Sequence, residues 1–191
     1  MKTALTKIAS VQMGFSFRSR LEAMDSGTVA VIQMKDLTDG NQVDCSGLMQ
    51  IDITIPKEHH LVKPGDLIFR SRGQTINSAI LNDDPGIAVV AAPLLRIRII
   101  DHSVLPAYLN WFINQSSAQS FLASRTTGTA QKMINKEALD SLEVFIPSIE
   151  RQRVITELAA LAEEEQNLLN KIATKRRHYT STILMQLTQG E

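Results

Sequence analysis

Cys45 is the only cysteine in the chain, which excludes an internal disulfide framework and any multi-cysteine zinc site. A reducing cytoplasm is the simplest setting for such a protein. Aromatic residues make up 5% of the sequence, too few for a platform that stacks unpaired bases, so a nucleic-acid partner would be duplex DNA. No apolar run reaches the length of a membrane span, and the N-terminus, MKTALTKIAS, is too polar for the apolar core of a secretory signal. The sequence contains no P-loop, no GxGxxG after a strand and no HExxH, GxSxG or CxxC motif. It therefore gives no support for a catalytic site, and no cofactor or metal is assigned.

Lesser clusters have ordinary explanations. His59 and His60, adjacent on a segment expected to be extended, should point to opposite sides and share no metal. Asp83–Asp84 beside Pro85–Gly86 is a turn, and Glu163–Glu164–Glu165 is a solvated helix face. Cys45 has no cationic neighbour in sequence to activate its thiol.

The most informative absence is acidic. Twenty Lys and Arg balance twenty Asp and Glu over 191 residues, yet no carboxylate occurs between Asp101 and Glu137. Inside that gap lies SRTTGTAQKMIN (124–135), with Arg125, Thr126, Thr127, Gly128, Thr129, Gln131 and Lys132. Backbone amides, hydroxyls and cationic side chains are the groups that contact phosphate, and Gln131 carries a donor–acceptor pair suited to an adenine edge. A polar solvent loop accounts for the polarity but not for the missing acids.

The order of elements predicts a mixed α/β domain with a mostly antiparallel sheet. TVAVIQM (28–34), MQIDITI (49–55), DLIFRS (66–71), INSAIL (76–81), IAVVAA (87–92) and LLRIRII (94–100) are short, Val/Ile-rich and bounded by turn residues, as strands are. IAVVAA lacks alternation and is expected to be buried on both faces. In LLRIRII, Leu95, Ile97 and Ile99 alternate with Arg96 and Arg98, the pattern of a strand with one wet face. Residues 106–124 fit a helix with Pro106 in its first turn. A shorter helix, capped by Asn135, is expected at 136–142, and LEVFI (142–146) is a further strand.

The texture changes at Pro147. No Pro or Gly follows until Gly190, so one helix of some forty residues, roughly 60 Å long, is expected from Ile149. Val154, Leu158, Leu161, Leu168, Ile172 and Tyr179 form a coiled-coil seam, interrupted by Glu165 and Lys175. This divides the chain into a domain over 1–146 and a spacer or dimerisation helix over 147–191. The stripe needs a partner helix, and a homodimer through this helix is expected.

Other basic groups bear on binding. FRSRGQ (69–74) carries Arg70 and Arg72 on one side of an expected strand, followed by Gly73 and Gln74. Two such arginines either fork onto phosphate or guanine edges or are merely surface charges. FSFRSR (15–20) repeats the theme with Arg18 and Arg20, and QMKD (33–36) puts Lys35 at a strand end.

Together these features resemble the target-recognition domain and spacer helix of type I restriction-modification specificity subunits. The likeness runs over nearly the whole chain and is strongest at the join, in Gly128, Gln131, Ile134, Leu139, Leu142, Ile146–Pro147, Gln152 and Ile155. GDLIFRSRG matches the family's Gly-Asp-hydrophobic run ending in Arg-Gly; Arg151 departs from the usual Glu before Gln152. The resemblance implies a non-catalytic subunit that reads part of a bipartite double-stranded DNA target and holds methyltransferase, and often restriction, subunits on it. Carried over by position, the DNA-facing residues are Arg70, Arg72, Gly73, Gln74 and the loop Thr126–Lys132. Full-length members have two recognition domains and two spacer helices; this chain has one of each, as a half subunit would. The competing reading is a coiled-coil assembly protein whose globular head binds protein and not DNA.

Overall fold

The structure is a computed structural model and describes residues 2–17, 24, 27–54, 56–73, 75–126 and 133–189. It divides into two compact units, Met1–Gln152 and Arg153–Glu191.

The strands of the first unit, in chain order, are β1 (Lys2–Ala4), β2 (Ala9–Met13), β3 (Val29–Ile32), β4 (Met49–Ile51), β5 (Leu67–Phe69), β6 (Ser78–Ile80), β7 (Ala88–Val90), β8 (Leu95–Ile99) and β9 (Glu143–Phe145). They form three sheets, in the orders β1-β9, β2-β8-β5-β6 and β4-β3-β7. Every pairing is antiparallel except β3 with β7. The architecture is thus mixed α/β and mostly antiparallel, as the sequence predicts.

The double burial expected of IAVVAA has a clear cause. On β7, Ala88 and Val90 join one hydrophobic cluster with Ala30, Ile32, Ile68 and Leu81, while Val89, with Ala91 just beyond the strand, joins another with Val29, Val31 and Ile51. The parallel pair β3–β7 therefore has apolar side chains packed on both faces. After β2, Gly14 passes so close to the turn before β8 that a Cβ there would lie 2.8 Å from both Val90 O and Leu94 O.

The wet face expected for β8 is not wet. Arg96 is buried, and its guanidinium donates to the carbonyls of His59 and Leu61, each at 2.9 Å, and to Gln12 Oε1 at 2.8 Å. Arg98 donates to both oxygens of Asp66, at 2.7 and 2.6 Å, and to Leu61 O. Residues 59–66 thus cover this face, held by two arginines. Alternation reports which residues share a face; it does not report what covers that face. A planar fork with five donors can be buried where carbonyl oxygens meet it. Burial pushes the Arg96 pKa down, helped by Arg98, while the hydrogen bond to Asp66 leads the rise at Arg98.

The histidine pair also departs from expectation. Glu58–His60 is a single 3-10 turn, not an extended segment, and the two rings lie 4.1 Å apart between centroids. His60 Nδ1 sits 3.3 Å from Gln12 Nε2, and the ring meets Phe15 edge-on. No group of three or more His, Cys, Asp or Glu is placed to hold a metal among the described residues.

The helix expected over 106–124 is two, α1 (Pro106–Ile113) and α2 (Ser116–Ala123). The break is set by polar side chains. Asn114 accepts from Ser78 N at 2.9 Å and donates to Ser78 O at 2.8 Å, so one amide covers part of the free edge of β6. Gln115 and Gln119 donate to the last carbonyls of α1, those of Trp111 and Ile113. Helix α3 (Lys136–Asp140) is capped by Asn135, which accepts from Ala138 N at 2.9 Å.

Helix α4 (Ile149–Gln189) is continuous over 41 residues. Its first turn belongs to the first unit through Gln152, whose side chain is fully buried. Gln152 Oε1 accepts from Leu105 N at 2.8 Å, and Nε2 donates to Ser103 O at 2.7 Å and Pro147 O at 2.9 Å. Beyond it the seam residues are open to solvent, from Ile172 at 50% exposure to Tyr179 at 68%.

Replacing Gln152 by Ala would leave the Leu105 N–H without its acceptor. A loss of about 2–3 kcal/mol is expected in urea unfolding of the full chain, and an unchanged midpoint would refute this role. His60 gives a pH test. Burial first, then His59, Arg96 and Lys57, lower its pKa in the folded chain, whereas the unfolded chain takes up the proton as pH falls through 6.5. Folding stability is therefore unaffected by His60 above that value and declines below it. The Tm of His60→Gln should fall less steeply than wild type below this pH; parallel curves would exclude the effect.

Candidate nucleic-acid interface

Strand β5 ends at Phe69, so Arg70 and Arg72 are not two equivalent arginines on one strand. Arg70 is half-buried; its Nη2 donates to Met34 O at 2.8 Å and Leu37 O at 3.4 Å, and its backbone N–H to Asn77 O. Ser71 is buried and donates from its hydroxyl to Pro93 O at 2.7 Å. Arg72 and Gly73 are exposed, with Gly73 at φ +117°, a backbone conformation that favours glycine.

These residues meet the second sequence candidate. Arg72 forms an antiparallel bridge with Met133, and Ile134 N donates to Ser71 O at 2.8 Å. Two segments about sixty residues apart, suspected separately because each is basic and carries a glycine, are thus joined by backbone hydrogen bonding. Neither pattern alone announces the bridge. Ser71, whose side chain and carbonyl help hold it, gave no signal in the sequence.

At the other end of that loop, Arg125 is exposed and stacks over Phe121, with its guanidinium carbon 3.9 Å from the ring centroid. Thr126 spends its hydroxyl on Ala123 O at 3.0 Å, which closes α2. Arg18, Arg20, Gln74, Thr127, Gly128, Thr129, Gln131 and Lys132 lie outside the described residues.

Lys35 is exposed but does not end a strand. β3 stops at Ile32, and Lys35 lies in a 3-10 turn, Met34–Asp36, closed by the Asp36 carboxylate accepting from Gln33 N at 2.7 Å. This is the turn whose carbonyl Arg70 holds. Burial pushes the Asp36 carboxyl up, opposed by Gln33 N–H and by Lys35.

Acidic groups gather around Cys45, Asp36 of this same turn among them. The Cys45 thiol is pushed up by burial and then by Asp83, Asp44, Asp36 and Asp84. Carboxylates gathered there oppose a polyanion. Gly86 N donates to Asp84 Oδ1 at 3.0 Å, so that aspartate is part of a turn, as expected.

The specificity subunit of the type I restriction enzyme EcoBI from Escherichia coli is 24% identical over 169 residues, 85% of this chain and 35% of that protein. The HsdS subunit from Thermoanaerobacter tengcongensis shares the fold with a TM-score of 0.64 at 17% identity, over 86% of this chain and 37% of that one. A chain from a type I R-M system, solved to explain complex assembly and conformational transition, gives a TM-score of 0.68 at 16% identity, over 88% and 39%. The chain therefore spans little more than a third of the length of these relatives. The family model for the type I restriction modification DNA specificity domain matches residues 1–173, and the chain belongs to that family.

Proposed function

We propose that this chain is a non-catalytic unit that reads one part of a bipartite double-stranded DNA target in the cytoplasm and directs methyltransferase subunits, with or without a restriction subunit, to it. Residues 1–146 form the reading domain and 147–191 the spacer helix. The observation that carries this reading is the Arg72–Met133 bridge, which joins the exposed end of the Arg70–Arg72 segment to the residue that follows the acid-free loop. Arg72, Gly73, Gln74 and 125–132 make up the contact surface, with Lys35 beside Arg70, and Arg18 and Arg20 as further cations.

The helix supports pairing with a second copy of the chain. Its apolar stripe is exposed, and exposed apolar surface is unfavourable by about 25 cal/mol per Å². Charge along the helix is segregated: Glu163, Glu164 and Glu165 precede Lys171, Lys175, Arg176 and Arg177. In an antiparallel pair with Glu165 opposite Lys175, Glu164 meets Arg176, Glu163 meets Arg177 and Leu168 meets Ile172. A parallel pair stacks like charge on like. The antiparallel dimer carries a reading domain at each end and matches two inverted half-sites with a fixed gap.

Arg72→Ala and Lys132→Ala should each weaken duplex binding and lower the salt slope by about one. Wild-type behaviour of both at every salt concentration would leave the assembly-protein reading in place. Sedimentation equilibrium at micromolar protein should give a dimer that Leu168→Glu dissociates. A wild-type monomer there would remove the paired arrangement.

A further inference from the structure

Two consecutive residues tie the end of β5 to three distant segments. The Arg70 side chain holds the carbonyls of Met34 and Leu37, the Ser71 side chain holds Pro93 O, and Ser71 O receives Ile134 N. Arg72, the next residue, is the first to be exposed. Arg70 lies between Phe69, with no exposed surface, and Ser71, at 3%.

We propose that Arg70 is a positioning residue: its guanidinium fixes the end of β5 to the 34–37 turn, so that Ser71 can hold residues 133–134 and Arg72 is presented at the joined loops. The inference rests on the DNA-reading function and assigns Arg70 a role within it other than contact with DNA.

The anchor is suited to this task. The 34–37 turn is rigid for its size, because Asp36 accepts from Gln33 N at 2.7 Å through its carboxylate and from Asp44 N at 2.8 Å through its carbonyl. Leu37 bridges Val43. The acceptors that meet Arg70 are neutral carbonyls from one turn, about three residues apart. One guanidinium nitrogen, Nη2, meets both, closely at Met34 O and more loosely at Leu37 O, and the planar guanidinium aims it there, whereas a lysine supplies a point charge on a flexible stem. A cation whose purpose was phosphate contact would have little use for a half-buried site directed at main-chain oxygens.

The distinction is measurable with the full-length chain and a labelled mixed-sequence DNA duplex. Binding is followed by fluorescence anisotropy across a salt series for wild type, Arg70→Lys, Arg70→Gln and Arg72→Ala. Hydrogen exchange of the Asp36 and Ile134 amides is followed without DNA. If Arg70 positions Arg72, both Arg70 variants lose about tenfold in affinity with an unchanged salt slope, and both exchange faster at Asp36 and Ile134. Arg72→Ala should instead lower the slope by about one. Should Arg70→Gln lower the slope by about one while Arg70→Lys binds like wild type, Arg70 is a phosphate contact. The proposal then fails while the DNA reading stands. Unchanged exchange at both amides in Arg70→Lys overturns it in the same way. An Arg72→Ala chain that binds as wild type removes the reading itself, and the proposal with it.

Discussion

The buried amide of Gln152 is the joint on which the first unit's arrangement turns. It satisfies Leu105 N, Ser103 O and Pro147 O at once, three main-chain groups that enter or precede helices α1 and α4. Leu105, the N-cap of α1, has no capping side chain of its own. The first turn of α4 and the start of α1 are therefore fixed by the same residue. From α1 the contacts continue inward. Asn114, at its end, bonds both backbone groups of Ser78 on β6; β6 pairs with β5; and β5 runs into Arg70–Arg72. The candidate interface is thus linked to the root of the long helix by an unbroken series of hydrogen-bonded elements. This also gives a physical reason for the glutamine in the Ile-Pro…Gln-x-x-Ile join: only an amide offers an acceptor and two donors without charge.

The chain's neutrality hides how its cations are used. Arg96 and Arg98 are spent on carbonyls and on Asp66, which fasten residues 59–66 over a sheet face; Arg70 is spent on the 34–37 turn. Among the described residues of the candidate interface, Arg72, Arg125 and Lys35 are the exposed cations. Clearing carboxylates from 102–136 matters more to such a surface than adding charge, since one nearby acid would cancel much of so small a field.

Much of this was legible. The six strands expected between residues 28 and 100, the strand before Pro147, the Asn135 cap and the long helix follow from periodicity and punctuation, and each is present. What failed did so for identifiable reasons. Strand β2, ASVQM, buries Ala9 and Val11 while Ser10 and Met13 are exposed, too weak a hydropathy contrast to stand out. The break between α1 and α2 is made by Asn and Gln side chains bonding out of register, which a hydrophobic pattern cannot record. Arg96 and Arg98 imitate a solvated face because charge was read as exposure. Of the candidate interface, composition singled out both loops but could not record the Arg72–Met133 bridge, nor that Arg70 is half-buried on main-chain carbonyls while Arg72 is exposed.

On the proposed reading, a single head holds DNA weakly by itself, because each phosphate contact contributes little and is eroded by salt. In the proposed assembly the helix makes up for that weakness without new contacts. Joining two readers through a stiff connector converts the second binding step into an intramolecular one, and the gain is greatest when the connector matches the span between half-sites. A helix without Pro or Gly over its length suits this better than a flexible linker, which would spread the second reader over many wrong spacings. The same rigidity makes specificity depend on the gap as well as on the half-site. A target with correct half-sites at the wrong distance engages one reader only, and binds no better than a single head.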